Sequence, residues 1–179
     1  MHAWIALLRG INVNGKNIVP MATLRELFGS LGYADVRTYI QSGNVFFRSK
    51  SKSKPANDKL ITAGLQSTFG FQPRVILLTA QEVQAAIENN PFAAKVQVPK
   101  LLHFYFLAAT PTSPDLAALH DVATPTEEFQ LIERVCYLHT PDGFGKSKLA
   151  ERMERKLGVP ATARNLSTVL KLAEMCEAV

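Results

Sequence analysis

The sequence VRTYIQSGNVFFR, residues 36–48, contains two apolar runs with the character of β-strands. Residues 36–40 and 45–48 form the runs, and the turn between them contains Gly43, which supplies the backbone freedom that a tight reversal needs. This pattern predicts an antiparallel β-hairpin. The segments on either side of the hairpin determine the fold to which it belongs.

Strand and helix patterns flank the hairpin symmetrically. A short buried strand over residues 3–9 comes first, and a helix that Pro20 opens follows it. After the hairpin, the sequence predicts a helix over about residues 57–69 and a strand over residues 74–79. The resulting order, β-α-β-β-α-β, is the signature of a ferredoxin-like unit.

The second half of the chain repeats this order of elements without repeating its residues. Its last pattern is a helix over residues 165–176. We therefore predict the α+β class, with two tandem ferredoxin-like βαββαβ units, antiparallel sheets and a C-terminal helix. The predicted domains are a basic unit over residues 1–80, a linking helix and loop over 81–99, and a second unit with the C-terminal helix over 100–179.

Composition and charge narrow the classes of function. Of the 179 residues, 47% are hydrophobic and 20% are charged, which is typical of a packed globular chain and excludes a mostly disordered one. The net charge of +5 is uneven, because residues 1–80 carry ten Lys and Arg against only three acids. Cys136 and Cys176 lie far apart and are predicted to be buried thiols in a reducing cytosol. The longest apolar stretch, residues 101–109, is too short to cross a bilayer, so we expect a cytoplasmic protein without a membrane partner.

The loop after the first strand, residues 9–17, is the first candidate anion site. Gly10 to Lys16 matches the opening of a phosphate-binding loop, G-x-x-x-x-G-K. Asn17, however, replaces the Ser or Thr that would hold magnesium, and the helix begins only at Pro20, which disfavours a nucleotide-binding P-loop. The alternative is a connection shaped by glycine and by asparagine–backbone contacts. The candidate ligands in this loop are Arg9, Asn12 and Lys16.

The loop over residues 142–148 is the second candidate anion site. It follows a predicted strand and precedes a predicted helix, which is the context of a phosphate site at a helix start. The strand before it belongs to an antiparallel hairpin, and Thr140 stands in place of the first glycine, so an NTP-hydrolysing loop is disfavoured. The alternative is an ordinary helix start. The candidates in this loop are Lys146, Ser147 and Lys148.

Two smaller groups complete the candidate set. Arg164 stands beside Asn165, a good N-cap for the C-terminal helix, where a cation and exposed N–H groups can share an anion. Pairing of Arg164 with a surface carboxylate is the alternative. The hairpin turn offers amide and hydroxyl groups, or serves as a turn alone. The candidates from these two groups are Gln41, Ser42, Asn44, Arg164 and Asn165.

Nucleic acid is an alternative partner. Residues 48–54 place four cations in seven positions, which suits either a solvated loop or contact with a phosphate backbone. The neighbouring aromatic run, residues 45–48, lacks the signature of an RNA-recognition motif.

Catalytic chemistry has little support in the sequence. The four histidines show no metal-ligand spacing, no nucleophile elbow is present, and the polar motifs contain no pair of carboxylates. Their Arg, Lys, Asn, Gln, Ser and Thr side chains bind and orient ligands but exchange protons poorly at neutral pH. We expect no catalytic residues, metal or cofactor, and favour binding over catalysis.

Several of these motifs together resemble those of a known family. They are residues 6–13 (ALLRGINV), 15–17 (GKN), 21–27, 38–45 (TYIQSGNV), 145–149 (GKSKL) and 162–165 (TARN). Nearly end to end, the chain resembles the domain-of-unknown-function family 1697, a bacterial family without an assigned activity. The resemblance implies tandem ferredoxin-like units but no substrate, cofactor or catalytic residue. Asn14 and Leu166 stand where the family often has glycine and tryptophan.

The sequence thus favours a cytosolic binding module for a phosphorylated small molecule or nucleotide. Nucleic-acid binding by the basic N-terminal half is the alternative. A phosphoryl-transfer enzyme acting around Lys146 and Ser147 is the third and weakest hypothesis. The sequence makes no prediction about the oligomeric state.

Overall fold

The computed structural model describes residues 1–177 and consists of two βαββαβ units, a helix between them and a C-terminal helix. The first unit contains β1 (His2–Arg9), α1 (Met21–Ser30), β2 (Ala34–Tyr39), β3 (Asn44–Ser49), α2 (Lys54–Phe69) and β4 (Arg74–Thr79). The helix that follows is α3 (Ala80–Glu88). The second unit contains β5 (Leu102–Leu107), α4 (Leu116–Val122), β6 (Glu128–Ile132), β7 (Val135–His139), α5 (Lys148–Leu157) and β8 (Ala161–Asn165), and α6 (Leu166–Glu177) ends the fold. The predicted α+β class with two repeated βαββαβ units is confirmed.

Each unit contains one four-stranded antiparallel sheet. The strand order is β2-β3-β1-β4 in the first sheet and β6-β7-β5-β8 in the second, so the first strand of each unit lies inside its sheet. The same order in both sheets means that equivalent strand ends can be compared between the units.

The core of the first unit lies between its sheet and helices α1 and α2. Alternate residues of β1, including Trp4 and Leu8, pack with Phe28 of α1 and Leu65 of α2. Phe46, on the opposite face of the sheet, is also fully buried. Both faces of this sheet are therefore covered, which explains why β1 is a nearly continuous apolar run.

The core of the second unit follows the same plan. Tyr105 and Leu107 of β5 and Leu138 of β7 pack against the apolar stripe of α5, which includes Leu149 and Met153.

Internal contacts group the described chain into two compact units. The first comprises Met1–Gln84 together with the C-terminal residues from Leu172 onward, and the second comprises Ala85–Lys171. The predicted boundaries between independent domains, at residues 80 and 99, remain predictions.

Local capping explains where the helices begin. Ser53 caps α2 by accepting a hydrogen bond from the Ala56 backbone N–H, so the Lys/Ser run ends in a helix start rather than a long solvated loop. Asp115 caps α4 in the same way, by accepting from the Ala118 N–H. Within residues 1–177, none of the helices combines the length and the apolar character of a bilayer-spanning segment.

Candidate functional site

The predicted site residues fall into two groups, one in each unit. The two groups lie at opposite ends of the first strand of their sheets. In the first unit they surround the C-terminal end of β1, where the Leu8 N–H donates to the Gly43 carbonyl at 2.8 Å. In the second unit they surround the N-terminal end of β5, because Leu102 pairs with His139 and His103 pairs with Asn165. The first group is Arg9, Asn12, Lys16, Gln41, Ser42 and Asn44, and the second is Lys146, Ser147, Lys148, Arg164 and Asn165.

Asn12 holds the first group together. Its side-chain amide donates to the carbonyl oxygens of Val19 (3.0 Å) and Gln41 (2.9 Å), and its Oδ1 accepts from the Val19 N–H at 2.8 Å. These bonds tie the loop after β1 both to the start of α1 and to the β2–β3 turn. Asn12 is therefore a positioning residue, and its donors are already committed to the fold.

The glycine-rich loop between β1 and α1 is a miniature hairpin. Lys16 N–H donates to the Val13 carbonyl at 2.9 Å, and the positions between them, Asn14 (φ 50°) and Gly15 (φ 71°), have the left-handed backbone that a type I′ turn requires. The match to a phosphate-binding loop thus reflects turn chemistry. It leaves the Lys16 side chain exposed beside the tip of the turn.

Asn44 is buried and serves the hairpin turn. Its amide donates to the Tyr39 carbonyl (3.0 Å) and to the Ser42 Oγ (2.9 Å). Gln41 and Ser42, by contrast, are exposed. The polar atoms that this turn can offer to a ligand therefore come from Gln41 and Ser42.

A second arginine, which no sequence motif predicts, lies at this end of the sheet. In the antiparallel pairing of β1 with β4, Arg9 lies directly opposite Arg74, and both residues are exposed. Directly opposed side chains project from the same face, with Cβ atoms about 5 Å apart. Strand register, which no local motif reports, is what places these two arginines opposite each other.

In the second group, Ser147 caps a helix. Its Oγ accepts from the Ala150 N–H at 3.0 Å at the start of α5, while Lys146 and Lys148 remain exposed on either side. The preceding strand, β7, is antiparallel to both β5 and β6. This arrangement lacks the parallel strand that precedes a P-loop.

Arg164 and Asn165 end β8. Asn165 Oδ1 accepts from the Thr168 N–H at 2.9 Å, as predicted for an N-cap. The Arg164 guanidinium donates to the Ala163 carbonyl at 2.9 Å. Burial lowers the pKa of Arg164 to about 10, so the side chain still carries its charge at neutral pH.

His103 is a buried group that the sequence did not single out. Its ring stacks on Phe144 with 3.8 Å between centroids, and burial lowers its pKa to about 4. The imidazole is therefore neutral under physiological conditions. Within residues 1–177, no three His, Cys, Asp or Glu side chains converge as they would to hold a metal ion.

Comparison with known proteins gives a family and a structural relative. The family model described as "Protein of unknown function (DUF1697)" matches residues 1–137. The solved structure of the conserved bacterial protein SP0830 from Streptococcus pneumoniae is similar, with a TM-score of 0.77 and 27% sequence identity. The match covers 98% of this chain and 99% of that chain. No curated protein matches.

Proposed function

The chain belongs to the DUF1697 family of proteins of unknown function, and we propose that its first unit binds a phosphorylated small molecule or a nucleotide. The site is the C-terminal end of β1. The opposition of Arg9 and Arg74 across the β1–β4 pair is the observation that carries the proposal. Two exposed arginines on the same face at one strand end concentrate positive charge there, and a phosphate is the kind of ligand that such a charge attracts.

The chemistry of the arginine pair favours phosphate over a monovalent inorganic anion. A guanidinium presents a planar fork of N–H donors that matches phosphate oxygens in pairs. Lys16 adds a third exposed cation, and Gln41 and Ser42 add neutral donors on the neighbouring turn. Because Asn12 bonds the loop to that turn, the donors lie on a preorganised frame rather than on independent loops.

We also interpret both units as ferredoxin-like and related by tandem duplication. The identical strand order of the two sheets supports this interpretation. We infer a cytoplasmic location from the two free cysteines.

Nucleic acid is the second candidate partner. The observation that favours it is the concentration of positive charge in residues 1–80, including the exposed Lys50, Lys52 and Lys59. A polyanion bound through such a surface releases counterions, so its affinity falls steeply with salt.

Thermal shift and calorimetric titration test the proposal with AMP, ATP and glucose 6-phosphate as probes. We expect at least one probe to raise the Tm, since a ligand that binds only the folded state stabilises it. Arg9→Ala and Arg74→Ala should each weaken binding by about tenfold or more, because each removes a charge-assisted contact. Arg152→Ala, an exposed arginine of α5, is the matched control and should leave the affinity unchanged.

Two results would overturn this proposal. One is the absence of a shift with every probe, and the other is binding that Arg9→Ala and Arg74→Ala leave intact. Oligonucleotides that bind at low salt, with log affinity falling linearly against log salt, would instead support the nucleic-acid alternative.

A further inference from the structure

Three exposed hydrophobic side chains lie in the two loops that Asn12 joins in the first unit. The exposed fractions are 53% for Val13, 58% for Ile18 and 51% for Ile40. Across the part of the chain that the structure describes, only seven large hydrophobic residues are exposed, so these loops hold nearly half of them. Single exposed hydrophobic residues are normal, whereas a group of them rimmed by polar residues marks an interaction surface. We call these three side chains the Asn12 patch.

The hydrogen bonds of Asn12 hold the patch together. Each patch residue is the chain neighbour either of Asn12 or of a residue whose carbonyl accepts from the Asn12 amide. The accepting carbonyls are those of Val19, at 3.0 Å, and Gln41, at 2.9 Å. The three hydrophobic side chains are therefore carried by one hydrogen-bonded frame, although they come from loops that are distant in the sequence.

Ile40 has a backbone conformation that its side chain disfavours. Its φ is 48°, in the left-handed region, where a β-branched residue is a genuine outlier. Asn12, Asn14 and Asn17 also have positive φ, but asparagine tolerates this conformation. Because half of Ile40 is exposed, the side chain gains little burial that would offset the strain. Strain of this kind is typical of functional positions.

The loops that carry the patch contribute positive charge and no negative charge. Val13 and Lys16 face each other across an isolated antiparallel bridge, so their side chains project from the same side with Cβ atoms about 5 Å apart. Lys16 is exposed, and residues 9–20 and 40–43 include no Asp or Glu. A partner that complements this surface therefore presents aliphatic groups next to a carboxylate.

Three other occupants fit these observations less well. A second copy of the chain, using the same patch about a two-fold axis, would place cations against cations. Nucleic-acid bases stack on aromatic or guanidinium groups, and the patch is aliphatic. A fluid lipid surface makes no demand for the strained and hydrogen-bonded backbone that holds Ile40 in place.

We propose that the Asn12 patch binds an acidic segment of another protein, whose aliphatic side chains pack on Val13, Ile18 and Ile40 and whose carboxylate pairs with Lys16. A preorganised apolar centre beside a charged rim is the usual anatomy of a protein interface. The proposal goes beyond the phosphate site, to which none of the three patch residues belongs.

Peptide display tests the proposal on the intact protein. Random peptides are selected against the immobilised protein, and the Kd of each enriched peptide is measured by fluorescence anisotropy. We expect the enriched sequences to combine Asp or Glu with Leu, Ile or Val. Ile18→Ser and Lys16→Glu should each raise the Kd by about tenfold or more. Leu60→Ser is the matched control, because Leu60 is 49% exposed on α2, and should leave the Kd unchanged.

Ile40→Asn separates a role in binding from a role in the fold. Since asparagine adopts positive φ readily, the Tm of this variant should rise by about 2–4 °C. Its affinity for the enriched peptides should nevertheless fall by about tenfold. A residue that only supports the fold would not give these opposite effects. A Tm at or below that of the wild type, or an unchanged affinity, would contradict the proposal.

The proposal is overturned if no peptide is enriched, if the enriched peptides lack acidic residues, or if Ile18→Ser and Leu60→Ser bind them equally well. Binding to phosphatidylserine vesicles that Ile18→Ser abolishes would also overturn it, as would a dimer that Ile18→Ser dissociates, because either result assigns the patch to a different occupant. Ile18→Ser should bind the phosphate probes as the wild type does, so failure of this surface and failure of the phosphate site are distinguishable.

Discussion

His103 is a basic residue that the fold keeps neutral. Only 9% of it is exposed, its ring stacks on Phe144, and burial lowers its pKa from 6.5 to about 4. In the unfolded chain the same side chain takes up a proton near its ordinary pKa. Because the pKa of His103 differs between the folded and unfolded states, this one residue makes the free energy of unfolding depend on pH.

The sign of that dependence follows from proton uptake. As the pH falls through 6.5, the unfolded state binds a proton that folded His103 does not bind, so unfolding becomes more favourable until the pH reaches about 4. Between pH 7 and pH 5 we expect a loss on the order of 2 kcal/mol from this residue. Urea denaturation of the wild type and His103→Gln measures it: the variant should lose less stability over this interval. Equal losses in the two proteins would contradict the prediction.

At the scale of elements, the two units share one hydrogen bond between the first strand and the hairpin turn but differ in what covers the end of that strand. The Leu8 N–H donates to Gly43 in the first unit, and the Leu107 N–H donates to Arg134 in the second, at 2.8 and 2.9 Å. In the second unit the Arg134 side chain also donates to the Leu107 carbonyl, at 3.0 Å, and so occupies the end of β5. The end of β1 instead carries an exposed turn. This difference supports placing the proposed phosphate site in the first unit.

Gly43 is essential to that turn. Its φ is 84°, and a Cβ at this position would lie 2.7 Å from both the Leu8 Cβ and the Ile11 Cδ1. Gly43→Ala should therefore destabilise the protein by about 2 kcal/mol or more, from backbone strain and overpacking together. Gly145→Ala is the matched control, since a Cβ there meets nothing within 4 Å and its φ is not in the left-handed region. Comparable losses of Tm for the two variants would refute this explanation.

The sequence predicts correctly those elements that depend on local chemistry. The apolar alternation predicted the order of strands and helices, and the small polar residues predicted the caps at Ser147 and Asn165. For residues 48–54 the sequence predicts a solvated loop or a phosphate contact, with the next helix beginning at about residue 57. In the structure Ser53 caps α2, which already begins at Lys54.

At the scale of the whole molecule, the features that escaped prediction are those that need register between distant strands. Arg74 lies opposite Arg9 only because β4 pairs with β1. Composition shows the excess of positive charge in the first half, but it does not show at which end of the sheet each cation lies. The sequence could therefore indicate anion binding without locating where the cations converge.

Part of the last helix, α6, belongs to the first unit, from Leu172 onward. Leu172 and Met175 of α6 are buried, and Arg37 of β2 donates to the Met175 carbonyl at 2.8 Å. Arg37 lies with its guanidinium 4.3 Å from the centre of the Phe46 ring, so a cation faces the negative end of the helix dipole over a buried aromatic. The first sheet is thus in contact with a residue that lies 138 positions further along the sequence.

Met175→Ala tests whether the first sheet depends on this contact. Removing a buried methionine side chain should cost about 2–4 kcal/mol, and hydrogen exchange should accelerate most in β2 and β3, where Arg37 and Phe46 lie. Leu170→Ala, on the same helix but with a side chain 45% exposed, should cost less than about 1 kcal/mol. If the two variants lose equal stability, or if exchange accelerates only within α6, the C-terminal residues do not support the first sheet. Faster exchange in β2 and β3 with Leu170→Ala near wild type would establish that the first βαββαβ unit requires the C-terminal helix for its full stability.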